Sequence, residues 1–271
     1  GTDDWDASVP ALAVFTRLES AEFAIRPFLA SDQERTLAQM YEWASDPDPK
    51  VRRLASEGSR PRLPWGKRVQ SLVADPGPIV PILERLRNDP DESVRRSVAN
   101  NLNDISKDHP ELVIELLRRW DPQPGTNLYR LARHALRTLL KRGDPAALAV
   151  LGFRAGPSAE LKELALDPPA PAIGNGATLR FTIVSTLDGP RPVLLDLAVH
   201  YVKADGTRSP KVFRLGAPVL HPGSPASFQR KLSFRQMTTR THRPGTHRID
   251  VVANGAVAGS IEFELQGPAE G

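Results

Sequence analysis

The sequence predicts two domains of different class, a helical-repeat solenoid followed by a β-sandwich. Three observations predict it. Apolar residues recur at spacings of three and four from the start to about residue 166, with Pro or Asp-Pro at most helix starts. A segment of the helical part repeats 43 residues further on. After a stretch rich in Pro and Gly, the pattern changes to short alternating runs of β-forming residues.

The first half is read as a string of short helices over Ala7–Glu19, Ala21–Leu29, Gln33–Ser45, Pro49–Glu57, Lys67–Val73, Pro78–Arg87, Glu92–Ser106, Pro110–Arg119, Asn127–Lys141, Pro145–Leu151 and Ser158–Ala165. Asp46-Pro-Asp-Pro-Lys-Val-Arg-Arg aligns with Asp89-Pro-Asp-Glu-Ser-Val-Arg-Arg. A third copy sets Leu131-Ala-Arg-His on Val94-Arg-Arg-Ser at an offset of 37 residues. The Asp caps free amides and the Pro fits the first helical turn, so the motif starts a helix. Helix-pair repeats of this length resemble HEAT-like repeats. Residues 1–166 are therefore expected to form a HEAT-like α-solenoid, with residues 167–177 as a linker. Residues 178–267 are expected to form an immunoglobulin-like β-sandwich with strands over Thr178–Thr186, Val193–Val202, Ser209–Leu215, Ala226–Phe234, Gly245–Ala253 and Ala256–Leu265. Asp205-Gly206 and Asn254-Gly255 fall between runs and read as tight turns.

Composition narrows the function classes. The chain of 271 residues has no cysteine, which excludes disulfides, thiolate zinc sites and iron–sulfur clusters. No apolar run reaches the ~18 residues of a membrane helix, and no signal-peptide pattern opens the chain, so a cytoplasmic protein without membrane contact is expected. Residues 168–271 carry 12 Lys and Arg against 7 Asp and Glu, whereas residues 1–167 carry 24 against 25. A basic C-terminal half suits a polyanion but is also common in plain soluble domains.

On helical wheels, the aligned second helices bury Val51, Leu54 and Ala55; Val94, Val98, Leu102 and Ile105; and Leu131, Ala135 and Leu139. Arg53, Arg96 and Arg133 occupy one equivalent polar position, and Glu57, Asn100 and Arg137 another, with Asp104 one turn beyond Asn100. Stacking the repeats sets two carboxylates, Glu57 and Asp104, in a groove lined by Arg. Trp65, at the end of the Pro-rich turn after Glu57, is placed to overhang it. The same residues also suit an ordinary solvated helix face with i,i+4 pairs, and both readings stay open on the pattern alone. Trp5, Trp43 and Trp120 read as core or edge packing, His242 and His247 have no third ligand for a metal, and Gly174-Asn-Gly176 lacks the context of a phosphate loop.

Four segments carry a resemblance: Ala21-Glu-Phe-Ala-Ile-Arg-Pro-Phe28, Ser56–Trp65, Ser97–Pro110 and Leu131–Pro145. They resemble the AlkC branch of the AlkC/AlkD alkylpurine DNA glycosylases, which carry a C-terminal immunoglobulin-like domain. That family is longer at its N-terminus, so the abrupt start over Gly1–Asp6 is read as the loss of a preceding portion. The resemblance implies a monofunctional DNA N-glycosylase that excises cationic N3-methylated bases (3-methyladenine, 3-methylcytosine) in base excision repair of double-stranded DNA. It implies no cofactor and no metal. Its functional residues map onto Glu22, Glu57, Trp65 and Asp104. Asp104 is expected to serve the water and the sugar cation, Glu57 and Glu22 to give electrostatic support, and Trp65 to pack on the sugar or base. Arg53, Arg96, Arg133, Arg137 and Lys141 are expected to hold phosphates. Lys203, Lys211 and Arg243, with Arg208, Arg240 and Arg248, are expected to approach DNA from the second domain. A monomer is expected. The alternatives are a non-catalytic HEAT-repeat DNA-binding or damage-sensing protein and a protein-interaction scaffold.

Overall fold

A computed structural model describes residues 4–238 and 241–268; Arg240 lies outside the described residues. The chain forms two compact units, residues 1–140 and 141–271.

The first unit is helical: α1 Trp5–Phe15, α2 Arg26–Ser31, α3 Gln33–Trp43, α4 Pro49–Gly58, α5 Gln70–Ala74, a 3₁₀ turn Gly77–Ile79, α6 Val80–Leu86, α7 Glu92–Ile105, α8 Pro110–Trp120, α9 Asn127–Ala135 and α10 Arg137–Lys141, which runs to the unit boundary. The Asp-Pro-Asp repeat acts as a two-stage cap. In each copy the first Asp accepts the amide of the second (Asp46 from Asp48 at 2.8 Å, Asp89 from Asp91 at 2.9 Å). The second Asp then caps the helix, Asp48 on Lys50 and Asp91 on Ser93 and Val94, each cap contributing about 1 kcal/mol. The following Arg folds back on its own turn: Arg52 donates to the carbonyls of Asp46 and Pro47, and Arg95 to those of Asp89 and Pro90. Arg52 also grips Asp89 with two bonds of 2.6 and 2.9 Å, tying one repeat to the next. α4 packs on α7 and α7 on α9. The expected stripes Val51, Leu54 and Ala55; Val94, Val98, Leu102 and Ile105; and Leu131, Ala135 and Leu139 are all buried. The single helix expected over Asn127–Lys141 is interrupted at Leu136.

The second unit begins with α11 Pro145–Val150 and is then all β: β1 Ala159–Asp167, β2 Gly176–Ser185, β3 Arg191–Pro192, β4 Leu195–Val202, β5 Arg208–Gly216, β6 Val219–Leu220, β7 Pro225–Ser233, β8 Gly245–Ala253 and β9 Ala256–Leu265. All pairings between these strands are antiparallel, in sheets of order β1-β2-β7 and β5-β4-β8-β9 with a short β3-β6 pair. Inward residues of both larger sheets, among them Leu179, Phe181, Leu197, Val199, Ile249 and Phe263, form one core, as expected for a sandwich. Asn254 and Gly255 both take positive φ in the β8–β9 turn, the backbone that a two-residue hairpin requires.

One element reverses the expectation. The helix expected over Ser158–Ala165 is strand β1. Its Leu161 and Leu164, three apart, mimic a helical period. A bulge between Leu161 and Glu163 shifts the strand alternation by one, so both leucines meet the core. The all-helical reading of residues 1–166 therefore fails at its end. The stretch expected to link domains joins β1 to β2 inside the sandwich: Ile173 is buried, and its amide bonds to the carbonyl of Gln266 at 3.1 Å. Among the described residues no helix is long and apolar enough to cross a membrane.

Candidate active site

The site is built where α4 ends. Gly58 closes that helix against Ile25, just before α2, and Met40 of α3; a Cβ there would lie 2.6 Å from Ile25 Cγ2 and 3.0 Å from Met40 Cε, so any larger residue would force Ile25 to shift. Beyond it the chain runs through Ser59, Arg60, Pro61, Arg62, Leu63 and Pro64 to Trp65. Arg26, the first residue of α2 and itself buried, fastens this turn. Its Nη1 donates to the carbonyls of Gly58 at 3.1 Å and Arg60 at 2.9 Å, and its Nε to Lys67 at 3.0 Å. Burial, then the nearby Arg60 charge, lowers the Arg26 pKa, against the opposing pull of Asp104. Arg62 adds a second anchor with two bonds of 2.8 Å to Asp108, just past α7.

The turn sends Arg60 inward, between the two predicted acids. Its Nη1 donates to Glu57 Oε1 at 2.6 Å, and its Nε and Nη2 lie 2.8 Å from Asp104 Oδ2. Glu57 Oε2 accepts from Ser97 Oγ of α7 at 2.7 Å, and Asp104 Oδ1 accepts from Lys107 Nζ at 2.9 Å. All four carboxylate oxygens thus have donors. The side chains of Glu57, Arg60 and Asp104 are 8%, 7% and 3% exposed, whereas that of Lys107 is 39% exposed. Burial alone would lower the Arg60 pKa, but Glu57 and Asp104 together outweigh it, so the guanidinium is held above its ordinary value and stays charged. Arg137 is half-buried nearby. Burial lowers its pKa and Asp104 opposes that shift.

Glu57 and Asp104 therefore come together, but buried around Arg60 rather than on an open polar face. Trp65 lies elsewhere on the same turn, fully exposed and in the left-handed backbone region at φ 62°. With Phe23, Arg26, Pro27 and Lys67 it lines an open cleft of about 640 Å³. Arg26 is the link between cleft and acid cluster. Glu22 sits beside Arg53, 3.9 Å from its Nη2, and both interact with Ser20. Glu22 takes no part in the hydrogen bonds that join Glu57, Arg60, Ser97, Asp104 and Lys107.

The predicted phosphate contacts divide. Arg96 is exposed and paired with Glu92, and Arg53 is bound to Ser20, so both begin with local partners. Arg133 is exposed, and Arg137 donates to the His134 carbonyl at 2.7 Å. Lys141, Lys203, Lys211 and Arg243 are exposed, the Lys211 ammonium 5.3 Å from the Phe213 ring. His247 is a core residue stacked on Phe263, and burial lowers its pKa. Trp43 and Trp120 are buried, and Trp5 packs edge-on against Phe28.

Arg60, Ser97, Lys107 and Arg26 were not foreseen as site residues. Ser97 had a usable signal, because it lies seven residues before Asp104 and so two turns along one helix face. Arg60 had none, since its direction is set by a turn.

Residues 19–141 match the family described as DNA alkylation repair enzyme, and residues 160–267 match the family described as the C-terminal Ig-like domain of the uncharacterised protein YhaZ. The chain is 43% identical over 266 residues to the uncharacterized protein YhaZ of Bacillus subtilis (strain 168), covering 98% of this chain and 73% of that protein. It is also similar to the solved structure of the Pseudomonas fluorescens alkylpurine DNA glycosylase AlkC bound to DNA containing an abasic site analog. The TM-score is 0.93 and the identity 45%, over 97% of this chain and 73% of that one.

Proposed function

The chain belongs to the DNA alkylation repair enzyme family, in its AlkC branch, and from that premise we propose that it is a monofunctional DNA N-glycosylase. Its proposed substrates are cationic N3-methylated bases, 3-methyladenine and 3-methylcytosine, in double-stranded DNA. The observation that carries this reading is the Glu57–Arg60–Asp104 cluster, two buried acids fixed by one guanidinium on consecutive repeats.

A base already methylated at N3 carries positive charge in the nucleotide and leaves without being protonated. The protein's task is to stabilise the sugar as it becomes oxocarbenium-like and to hold a water for attack, as carboxylates do in glycoside hydrolysis. Asp104 takes that part, with its backbone on the rigid α7 and one oxygen fixed by Arg60. Glu57, locked by Arg60 and Ser97, adds negative potential to the same spot. Glu22 extends it from the start of the α2 region. Trp65 offers an exposed ring to the sugar or the cationic base, a contact of about 1–2 kcal/mol. Arg53, Arg96, Arg133, Arg137 and Lys141 take backbone phosphates, and Lys203, Lys211 and Arg243 approach DNA from the sandwich; these contacts position the duplex and do not read sequence. The protein acts as a monomer in the cytoplasm, on the nucleoid.

The test is release of free base from duplex DNA carrying 3-methyladenine or 3-methylcytosine, by wild type and by Asp104→Asn. Release that depends on Asp104 supports the reading. Tight binding of alkylated DNA with no release would make the protein a damage sensor, and no salt-sensitive DNA affinity would make it a scaffold.

A further inference from the structure

We infer that Lys107 is a displaceable counter-ion of Asp104, which a DNA backbone phosphate draws away so that Asp104 Oδ1 is uncovered for the nucleotide. The inference rests on the function proposed above and deepens it, by naming what couples DNA binding to an available acid.

As the protein stands, Asp104 has no free edge. Arg60 occupies Oδ2 through two nitrogens at 2.8 Å, and Lys107 occupies Oδ1 at 2.9 Å. An acid that is to face a sugar cation has to give up one partner, and the two partners are unequal. Arg60 is 7% exposed, holds Glu57 with its other arm, and has its own carbonyl gripped by Arg26. Moving it would leave buried Glu57 without its ion partner and buried Asp104 with Lys107 alone. Lys107 is 39% exposed, makes a single bond to Asp104 through a flexible stem, and lies just past the end of α7. An ammonium with three rotatable donors exchanges partners easily, whereas a planar guanidinium held on both sides does not.

The surrounding charge favours this exchange. Asp104 interacts electrostatically with Arg26, Arg60, Arg62 and Arg137 as well as bonding Lys107. Counting Glu57 and Asp108, the partner of Arg62, five cations face three carboxylates, and Lys107 is the most exposed of the five and the one that a phosphate can reach. Its departure leaves Arg60 to hold Asp104 in place, so the acid gains an open oxygen without losing its position.

The experiment compares wild type with Lys107→Met and Lys107→Arg. Affinity for a duplex containing an abasic-site analogue is measured against salt, and 3-methyladenine release is followed in single turnover at saturating protein. Lys107→Met should flatten the dependence of log K on log[salt] by about 0.9, so that its affinity deficit shrinks by about three- to fourfold between 50 and 200 mM salt. Its single-turnover rate should stay within about threefold of wild type or rise, since the oxygen is already open. Lys107→Arg should keep the wild-type salt slope, and this arm stands even if the methionine variant does not fold. An unchanged slope in Lys107→Met, or a lost slope in Lys107→Arg, overturns the inference. So does a folded Lys107→Met that binds DNA but releases base more than about threefold more slowly, because Lys107 would then be needed on Asp104 during the reaction. Wild type that binds DNA and releases no methylated base overturns the functional reading instead.

Discussion

Replacing Arg60 by alanine should cost the helical unit about 3–5 kcal/mol, because it leaves two buried carboxylates without their shared cation. The geometry supports that magnitude. Glu57 and Asp104 bond to different nitrogens of one guanidinium, at 2.6 and 2.8 Å. Their oxygens therefore lie within roughly 6 Å of each other, where two unscreened like charges repel by about 3 kcal/mol at an effective dielectric of 20. Ser97 and Lys107 still bond one oxygen of each acid and keep the cost from being larger. At about 2–4 °C per kcal/mol for a chain of this size class, the melting temperature should fall by roughly 6–20 °C. Lysine at the same position keeps the charge but cannot serve both acids, so it should recover only part of the loss. Thermal melting gives the stability and single-turnover base release gives the activity. An alanine variant that melts within 2 °C of wild type and releases base at the wild-type rate would refute the assignment of Arg60 as the fastener of the two acids.

Two further outcomes follow from local geometry. Trp65 is fully exposed in left-handed backbone, where a non-glycine residue costs ~1 kcal/mol. Trp65→Gly should therefore raise the melting temperature slightly while lowering base release, and a variant losing both, or neither, contradicts a purely functional role. His134 has its pKa lowered by burial and then by Arg137 and Arg96. A base whose folded pKa is depressed binds protons more readily unfolded. Its contribution is therefore complete above the unfolded value of about 6.5 and is lost as pH falls through the folded value. His134→Gln should flatten the melting temperature against pH in that window, and an unchanged slope would show that His134 is not the titrating group.

The repeats were the legible part. Asp46-Pro-Asp and Asp89-Pro-Asp announce two caps, and the helices they start carry Glu57 and, one turn beyond its equivalent Asn100, Asp104. Their burial was not legible, because a helical wheel assigns a polar face to solvent and cannot see that Arg60 from a turn and Ser97 from the next helix fill the space beside it. Strand β1 was misread for a related reason: Ala, Glu, Leu and Lys are good helix formers, and the bulge hides the strand period. Tertiary pairing with β2 decided that segment. Trp65 was legible as the end of a Pro-rich turn, but its place in a cleft with Phe23 and Pro27, rather than over Glu57 and Asp104, was not. The clasp by Arg26 that fixes the turn was not, since nothing local marks a buried Arg at a helix start.

The most direct measurement is single-turnover release of 3-methyladenine from duplex DNA by wild type and Asp104→Asn, with binding to an abasic-site duplex measured alongside. Asparagine keeps the shape of the side chain and removes its charge. Losing one preorganised electrostatic group of this kind lowers rates by about 10²–10³-fold. Asp104→Asn should lose base release by that factor and retain abasic-site binding. Release by Asp104→Asn at the wild-type rate would contradict it.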